Sequence, residues 1–387
     1  MKHSTDRILT THVGSLPRPP DLIALVRARL RGEAIDPQAY SKVLKESVAA
    51  IVRKQAELGV DVIDDGECGK PSFVSYGNER LGGFSARSGG GGVSPWAHSR
   101  EAITFPEFYQ SQMGSVSASH ARLVCTGPVT YKGEAALRTD LDNLKAALAG
   151  VNVAEVFVPA ISPASFEDWN RNEYYKTDED YVVALGEAMR TEYQAIIDAG
   201  FLLQIDDPRL VTYYILHPGE SVADCRKWAE LRVEALNHAL RGIPTGKIRY
   251  HTCYGINMGP RIHDLELKHV VDLILKIRAG AYSFEAANPR HEHEWKVWES
   301  AKLPAGKSLI PGVISHSTVL VEHPELVAER ICRYAKVVGR DNVIAGSDCG
   351  FATFASSKEV HPSIVWAKFT SLVEGARLAS RQLWDGR

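Results

Sequence analysis

The chain has 387 residues, 44% of them hydrophobic and 24% charged, and its 45 basic and 47 acidic side chains leave a formal net charge of −2. That near-balance offers no bulk attraction to nucleic acid or to an anionic membrane surface, and no apolar run approaches the roughly 18–20 residues needed to span a bilayer. Six cysteines scattered over so long a chain are not the dense framework of a small secreted domain, and the opening "MKHSTDRILTTHVGSL" lacks the apolar core of a leader, so the sequence predicts a cytoplasmic protein with reduced thiols.

Strand-like and helix-like stretches alternate along the chain. "ILTTHVGSL" (8–16) reads as a strand. Residues 41–59 carry apolar side chains at helical spacing and close on Gly59, and 60–67 follow as a strand. Strands are predicted at 121–130, 201–208, 247–255, 281–288, 307–315 and 342–350. Helices are predicted at 180–200, 219–242, 264–280 and 323–339, with a last one over roughly 363–383. This helix–glycine–strand rhythm marks βα units and a parallel sheet. Eight such units predict a (β/α)8 TIM barrel forming a single domain over 1–387. The surplus length falls at 17–40, 68–120 and 132–178, and a ninth apolar stretch, 154–162, is assigned to the last of these insertions. "SARSGGGGVSPW" (85–96) reads as a flexible loop without the Lys-Ser/Thr of a phosphate loop. An open doubly wound sheet is the rival architecture, and "HVGSLPRP", with one glycine and two prolines, suits it poorly.

In a barrel, chemistry gathers at the C-terminal ends of the strands. Those ends are polar here: His12, Gly14 and Ser15; Asp64, Asp65 and Glu67; "TGPVT"; Asp206 and Asp207; His251 and Cys253; Glu285; Ser315 and His316; Asp348 and Cys349. His251 and Cys253 share a strand face, because successive side chains alternate. With Glu285 and Cys349 they form a donor set that Zn²⁺ accepts. The carboxylate is the most replaceable of the four and would give way to a substrate thiol, held then as a thiolate. The reaction class this suggests is alkyl transfer to sulfur. The competing reading is plain packing, since a buried cysteine is most often a small hydrophobe; the second cysteine in "GSDCGF" argues against it. "HEHE" (291–294) is a rival ligand cluster whose alternation reads more readily as a solvated helix start. The Asp-Asp pairs are good turn formers, yet Glu67 and Asp206 at the same barrel end would hold an ammonium group. The Gly14–Ser15 amides and the Ser15 hydroxyl would suit a carboxylate. Cys68 reads as incidental, and Cys125, Cys225 and Cys332 as packing residues.

Taken in order, "TTHVGSLPRP", "KQAELGVDVIDDGE", "TGPVTY", "AGFLLQIDDPRL", "HTCYG", "YSFEAA", "PGVISHS" and "GSDCG" resemble the catalytic C-terminal barrel of cobalamin-independent methionine synthase over nearly the whole chain. The resemblance implies zinc ligands at His251, Cys253, Glu285 and Cys349. It implies a homocysteine carboxylate on Gly14 and Ser15, its ammonium on Glu67 and Asp206, and a proton carrier at His316. The partners implied are a small-molecule thiol and a methyl or alkyl donor, in methionine biosynthesis. The departures bear on the donor. That synthase is longer, with a second barrel that helps hold the folate; 132–178 stands where its pterin-contacting stretch lies; its Asp-Glu-Pro is here Asp206-Asp207-Pro208; and "ISHSTVLVEHPE" lacks a clear match to "DIHSP".

Single-barrel relatives include short methionine synthases with corrinoid donors and epoxyalkane:coenzyme M transferases, which add a zinc-bound thiol to an epoxide. In the latter reading Trp169, Tyr174 and Tyr175 would form an aromatic wall. A metal-free uroporphyrinogen-type decarboxylase using Asp65 or Asp206, and a non-enzymatic barrel with structural zinc, compete with both. Arg18 either reaches an acidic group of the substrate or is solvated. "HEHEWKVWESAK" (291–302), as a lid or a subunit surface, leaves a homo-oligomer open.

Overall fold

The computed structural model describes residues 1–73, 75–86, 95–116, 123–167, 169–255, 259–355 and 360–385. The centre of the loop expected at 85–96 lies outside the described residues. The strands, in chain order, are β1 (Leu9–Thr10), β2 (Val62–Ile63), β3 (Leu81–Ala86), β4 (Leu123–Tyr131), β5 (Glu155–Ile161), β6 (Arg171–Asn172), β7 (Leu202–Asp206), β8 (Ile248–Thr252), β9 (Ala281–Phe284), β10 (Ser308–Ile314) and β11 (Ile344–Ser347). Eight of them pair in the order β1-β11-β10-β9-β8-β7-β5-β2, all in parallel. The parallel bridge between Thr11 and Val62 joins the two ends of the series. The sheet therefore closes on itself, and the (β/α)8 barrel expected from the helix–strand rhythm is the fold.

One strand assignment is corrected. Residues 121–130 do not form the third barrel strand. Their strand, β4, lies in a separate three-stranded sheet, antiparallel to β3 and parallel to β6. The barrel position belongs to β5, inside the segment 132–178 that the sequence pattern assigns wholly to an insertion. Burial explains the exchange. Phe157–Ile161 are all buried, as a parallel strand covered on both faces requires. Beyond Cys125, β4 alternates exposed and half-buried residues, the pattern of a sheet with one wet face. "TGPVT" is therefore not at a barrel strand end.

The helix expected at 264–280 is also corrected: it reduces to a 3₁₀ turn, Leu267–His269, and a single α-turn, Val271–Ile274. The Leu267 amide is taken by the Glu294 carboxylate at 2.6 Å, which replaces a helical partner with a side-chain one. The helix Pro37–Leu58 starts with Asp36 as N-cap and Pro37 in its first turn, both favoured at a helix start. Inside the barrel, Arg249 of β8 is 1% exposed. Its guanidinium donates to Thr11 Oγ1 (2.9 Å) and the His12 carbonyl (2.6 Å) and lies 4.0 Å from the Phe157 ring centroid. Among the described residues, no helix is long and apolar enough to cross a membrane.

Candidate functional site

Strand register lines up the first part of the site. Asp206 at the end of β7 is opposite His251 in β8, and His251 is opposite Ser283 in β9. His251 is buried, and its Nδ1 lies 3.1 Å from Ser283 Oγ. Its Nε2 makes no hydrogen bond. When Nδ1–H donates to the Ser283 hydroxyl, which can accept as well as donate, the Nε2 lone pair is left for a metal. Burial, then the Arg249 charge, lowers the His251 pKa to about 3, so the ring is neutral at ordinary pH. Cys253 lies just past β8 and Cys349 just past β11, with their Sγ atoms 3.4 Å apart and both thiols free. The candidate donor atoms of His251, Cys253 and Cys349 all lie within 4.8 Å of one another. Sulfurs on a tetrahedral zinc, each about 2.3 Å from the ion, would be about 3.8 Å apart, so the cysteines need little adjustment to hold one. The Cys253 contact and burial push the Cys349 thiol well up. Two adjacent buried thiols ionise only if a cation neutralises them.

Glu285 is placed differently. Its Oε1 accepts from the Tyr254 amide (2.8 Å) and Arg261 Nη2 (3.2 Å). Its Oε2 accepts from Arg261 Nη1 (2.9 Å) and Asn288 Nδ2 (2.5 Å). It groups with His316 and Asp348, with ligand atoms within 4.8 Å, and not with the His-Cys-Cys trio. Its charge nevertheless acts on both His251 and Cys349, so the two groups adjoin. Burial would raise the Glu285 pKa; Arg261 and His316 outweigh it and hold it at about 2. His316 is buried, and neither ring nitrogen makes a well-formed hydrogen bond. Burial lowers its pKa to about 4. Asp348 Oδ1 accepts from the amides of Ala286 (2.8 Å) and Ala287 (2.7 Å), and burial raises its pKa to about 7.

Gly14, Ser15, Glu67 and Asp206 form the adjoining wall. Gly14 has φ 141°, and a Cβ there would stand 2.8 Å from Pro159 Cγ and 2.9 Å from Glu67 Oε1. Only glycine allows the Glu67 carboxylate so near this turn. The Ser15 carbonyl accepts from the Phe351 amide at 2.9 Å, and its hydroxyl lies 3.4 Å from both Ala352 N and Thr353 Oγ1. A Cβ on Gly350 would stand 2.0 Å from Ser15 Oγ, so the first turn of the chain packs directly against the residue after Cys349. Glu67 has φ 55° and its amide donates to Asp65 Oδ1 at 2.8 Å. Asp206 Oδ1 accepts from Gln204 Nε2 at 2.7 Å. Burial raises the pKa of both acids, and the Glu67 charge raises Asp206 further. Lys70 Nζ, 4.0 Å from Glu67 Oε1, offsets part of this.

Several polar residues singled out in the sequence have other roles. "HEHE" does start a helix, the 3₁₀ turn Glu292–Lys296, but His291 and Glu294 are buried rather than solvated, and the stretch is not among the candidate ligand groups of the described residues. His291 is buried, with Nδ1 2.8 Å from Glu294, Nε2 2.9 Å from Asp264 and its ring stacked 3.9 Å from that of Tyr254. Glu292 pairs with Arg330 at 3.0 Å. Arg18 neither reaches outward nor is solvated: it donates to the carbonyls of Ala352 (2.8 Å), Glu67 (2.7 Å) and Lys70 (2.8 Å). His12 uses both nitrogens, on Gln55 (2.7 Å) and the Gly14 amide (3.2 Å). Cys68 is fully buried, and burial pushes its thiol up. Tyr174 and Tyr175 pack edge-on, and Tyr175 stacks on Tyr181. Sequence reasoning missed Ser283 and Arg261. Ser283 lies two positions before Glu285 on the same strand face, so the alternation rule could have found it. Arg261, in an irregular loop, carried no such signal.

A closed (β/α)8 barrel whose C-terminal rim buries the imidazoles of His251 and His316, two thiols and several carboxylates defines a class of site in which a metal and a small molecule would meet. A family model described as "Cobalamin-independent synthase, Catalytic domain" matches residues 8–158 and 160–367, and the chain belongs to that family. It is 26% identical over 380 residues to a methionine synthase of Saccharolobus islandicus (strain L.S.2.15 / Lassen #1), covering 97% of this chain and 95% of the relative. It is 22% identical over 375 residues to the methionine synthase of Thermococcus kodakarensis, covering 97% and 94%. Two solved structures share the fold. A B12-independent methionine synthase from Shewanella sp. W3-18-1, in complex with selenomethionine, superposes with a TM-score of 0.75 at 17% identity, covering 98% of this chain and 99% of the other. A putative vitamin-B12 independent methionine synthase from Listeria monocytogenes gives 0.67 at 20% identity, covering 96% and 98%.

Proposed function

We propose that the chain is a zinc-dependent methyltransferase that activates a small thiol, homocysteine first, and so works as a methionine synthase. The observation that carries the reading is the convergence of a His251 ring nitrogen and the two cysteine sulfurs within 4.8 Å, together with a buried, unpartnered Nε2 on the same ring. The methionine synthases among its relatives support the choice of thiol and of transferred group. His251, Cys253 and Cys349 would hold the ion, with Glu285 as the exchangeable fourth ligand. Bound there, Zn²⁺ would supply the Lewis acidity that lets a thiol ionise near neutral pH.

The chain's own residues do the rest. Ser283 Oγ, accepting from Nδ1–H, would orient the His251 ring with Nε2 offered to the ion. Glu67 and Asp206, two buried acids raised by burial, gain a cation when the ammonium of an amino-acid thiol arrives, which favours ionisation of both. The Gly14–Ser15 turn presents amides and a hydroxyl to the carboxylate. His316, neutral and without a well-formed hydrogen bond, takes up the proton the thiol sheds at one ring nitrogen.

The test is turnover of the purified, zinc-loaded chain with homocysteine and either a methylated folate or methylcobalamin. The expected result is methionine from one donor, lost in Cys349→Ser. Zinc loading with no methionine from either donor contradicts the substrate assignment, and absence of zinc contradicts the mechanism.

A further inference from the structure

We propose that Arg261 is a positioning residue that offers Glu285 a second berth beside the metal, so that the carboxylate leaves the fourth position of the His251–Cys253–Cys349 trio when a thiol arrives. The inference rests on the metal reading above and deepens it. A zinc closed by four protein ligands is the structural kind, whereas a catalytic one keeps a place for substrate. In this chain the difference turns on where one carboxylate sits.

The Glu285 carboxylate is already saturated. Four donors reach its two oxygens, and the Arg261 guanidinium reaches both. Two-point arginine–carboxylate contacts fix geometry as well as charge. Arg261 is itself held by construction. It is buried, with φ 59°, a left-handed conformation that a non-glycine residue keeps only when its surroundings impose it. The Glu101 carboxylate accepts the amides of Arg261 (3.0 Å) and His263 (2.8 Å) and so fixes that turn. Arg261 Nε lies 3.3 Å from Asp264, which in turn is paired with His291.

Glu101 belongs to the short helix Arg100–Thr104, capped by Ser99. The neighbouring Arg100 donates to the carbonyls of Tyr214 (2.8 Å) and His217 (3.2 Å) and to that of Glu220, and lies over the Tyr214 ring. Part of the 68–120 insertion thus anchors the loop that aims Arg261 at Glu285. A carboxylate with two berths, one on a guanidinium and one on a metal, partitions between them. Removing the guanidinium sends it to the metal, where it competes with the thiol.

The test is metal affinity, read by chelator competition with Zn²⁺ and by the absorption bands of Co²⁺-loaded protein, for wild type, Glu285→Gln, Arg261→Met, Arg261→Lys and the double variant Arg261→Met/Glu285→Gln. Expected are a change of less than about threefold for Glu285→Gln and a gain of about tenfold for Arg261→Met that disappears in the double variant. Homocysteine should then perturb the Co²⁺ bands of Arg261→Met only at a concentration about tenfold higher than in wild type. Should Arg261→Met fail to fold by circular dichroism, Arg261→Lys, which keeps the charge but loses the fork, should show a gain of about threefold. A loss of about tenfold or more for Glu285→Gln, or unchanged or weaker metal binding in the folded Arg261 variants, overturns the role given to Arg261 and leaves the metal site standing. Failure of wild type to bind either metal overturns both.

Discussion

The imidazole of His291, buried between Asp264 and Glu294, should make the stability of this barrel fall with alkaline pH. Burial alone would lower its pKa, but hydrogen bonds to the two carboxylates outweigh burial and raise it from 6.5 to about 9. A group whose folded pKa is raised stabilises fully below its unfolded pKa, and the contribution is lost as pH rises through the folded value. The window therefore opens near pH 6.5 and closes above about 9. The rise corresponds to about 3 kcal/mol, at 1.36 kcal/mol per pKa unit. The perturbation is His291→Gln, which keeps a polar side chain but cannot carry the charge. Equilibrium urea denaturation of the metal-free protein at about pH 6, about pH 8 and about pH 9.5 should show wild type losing about 3 kcal/mol more than the variant across the range. Comparing the two chains cancels the other titrating groups. Parallel pH profiles would refute the reasoning, because they would mean that folding leaves the His291 pKa at its unfolded value.

Three further outcomes are expected. Cys349→Ser should remove most bound zinc and all transferase activity while leaving the far-ultraviolet dichroism of the barrel unchanged; full activity in this variant would contradict the metal reading. Glu67→Gln should weaken homocysteine binding by roughly 10–100-fold, the worth of a charged hydrogen bond, with zinc content unchanged, as read by thiol titration of the Co²⁺-loaded protein. Gly14→Ala should do the same by displacing the Glu67 carboxylate, since the new Cβ would stand 2.9 Å from Oε1 and 2.8 Å from Pro159 Cγ; unaltered thiol affinity would mean that the two residues do not share the substrate wall.

The barrel was legible because its helices mostly end in glycine and feed apolar strands, and local spacing records that rhythm. The exchange of β4 for β5 shows the limit. Both are short apolar runs bounded by turn residues, and periodicity alone cannot separate a barrel strand from a strand of an outlying sheet. The discriminating detail was the uninterrupted "VFVPAI" of β5 against the Gly127-Pro128 of β4, because a proline seldom sits inside a fully paired strand without a bulge. β5 carries Pro159 too, which blunts even that signal.

The His251, Cys253 and Cys349 cluster was readable from strand alternation and the strand-end rule, which are local properties. The placement of Glu285 was not, because it depends on Arg261, whose loop is fixed by a carboxylate 160 residues earlier in the chain. His291 and Arg18 were misread for a related reason. Charged residues are buried only when paired, and their partners, Asp264 for one and the carbonyls of Glu67, Lys70 and Ala352 for the other, meet only in the folded chain.

Zinc stoichiometry on the purified chain, followed by zinc-edge X-ray absorption with and without homocysteine, tests the central claim most directly. The account predicts about one zinc per chain, two sulfur ligands at rest, and a third sulfur replacing an oxygen when homocysteine is added. Absence of zinc, or a zinc whose ligands do not change with homocysteine, would contradict it.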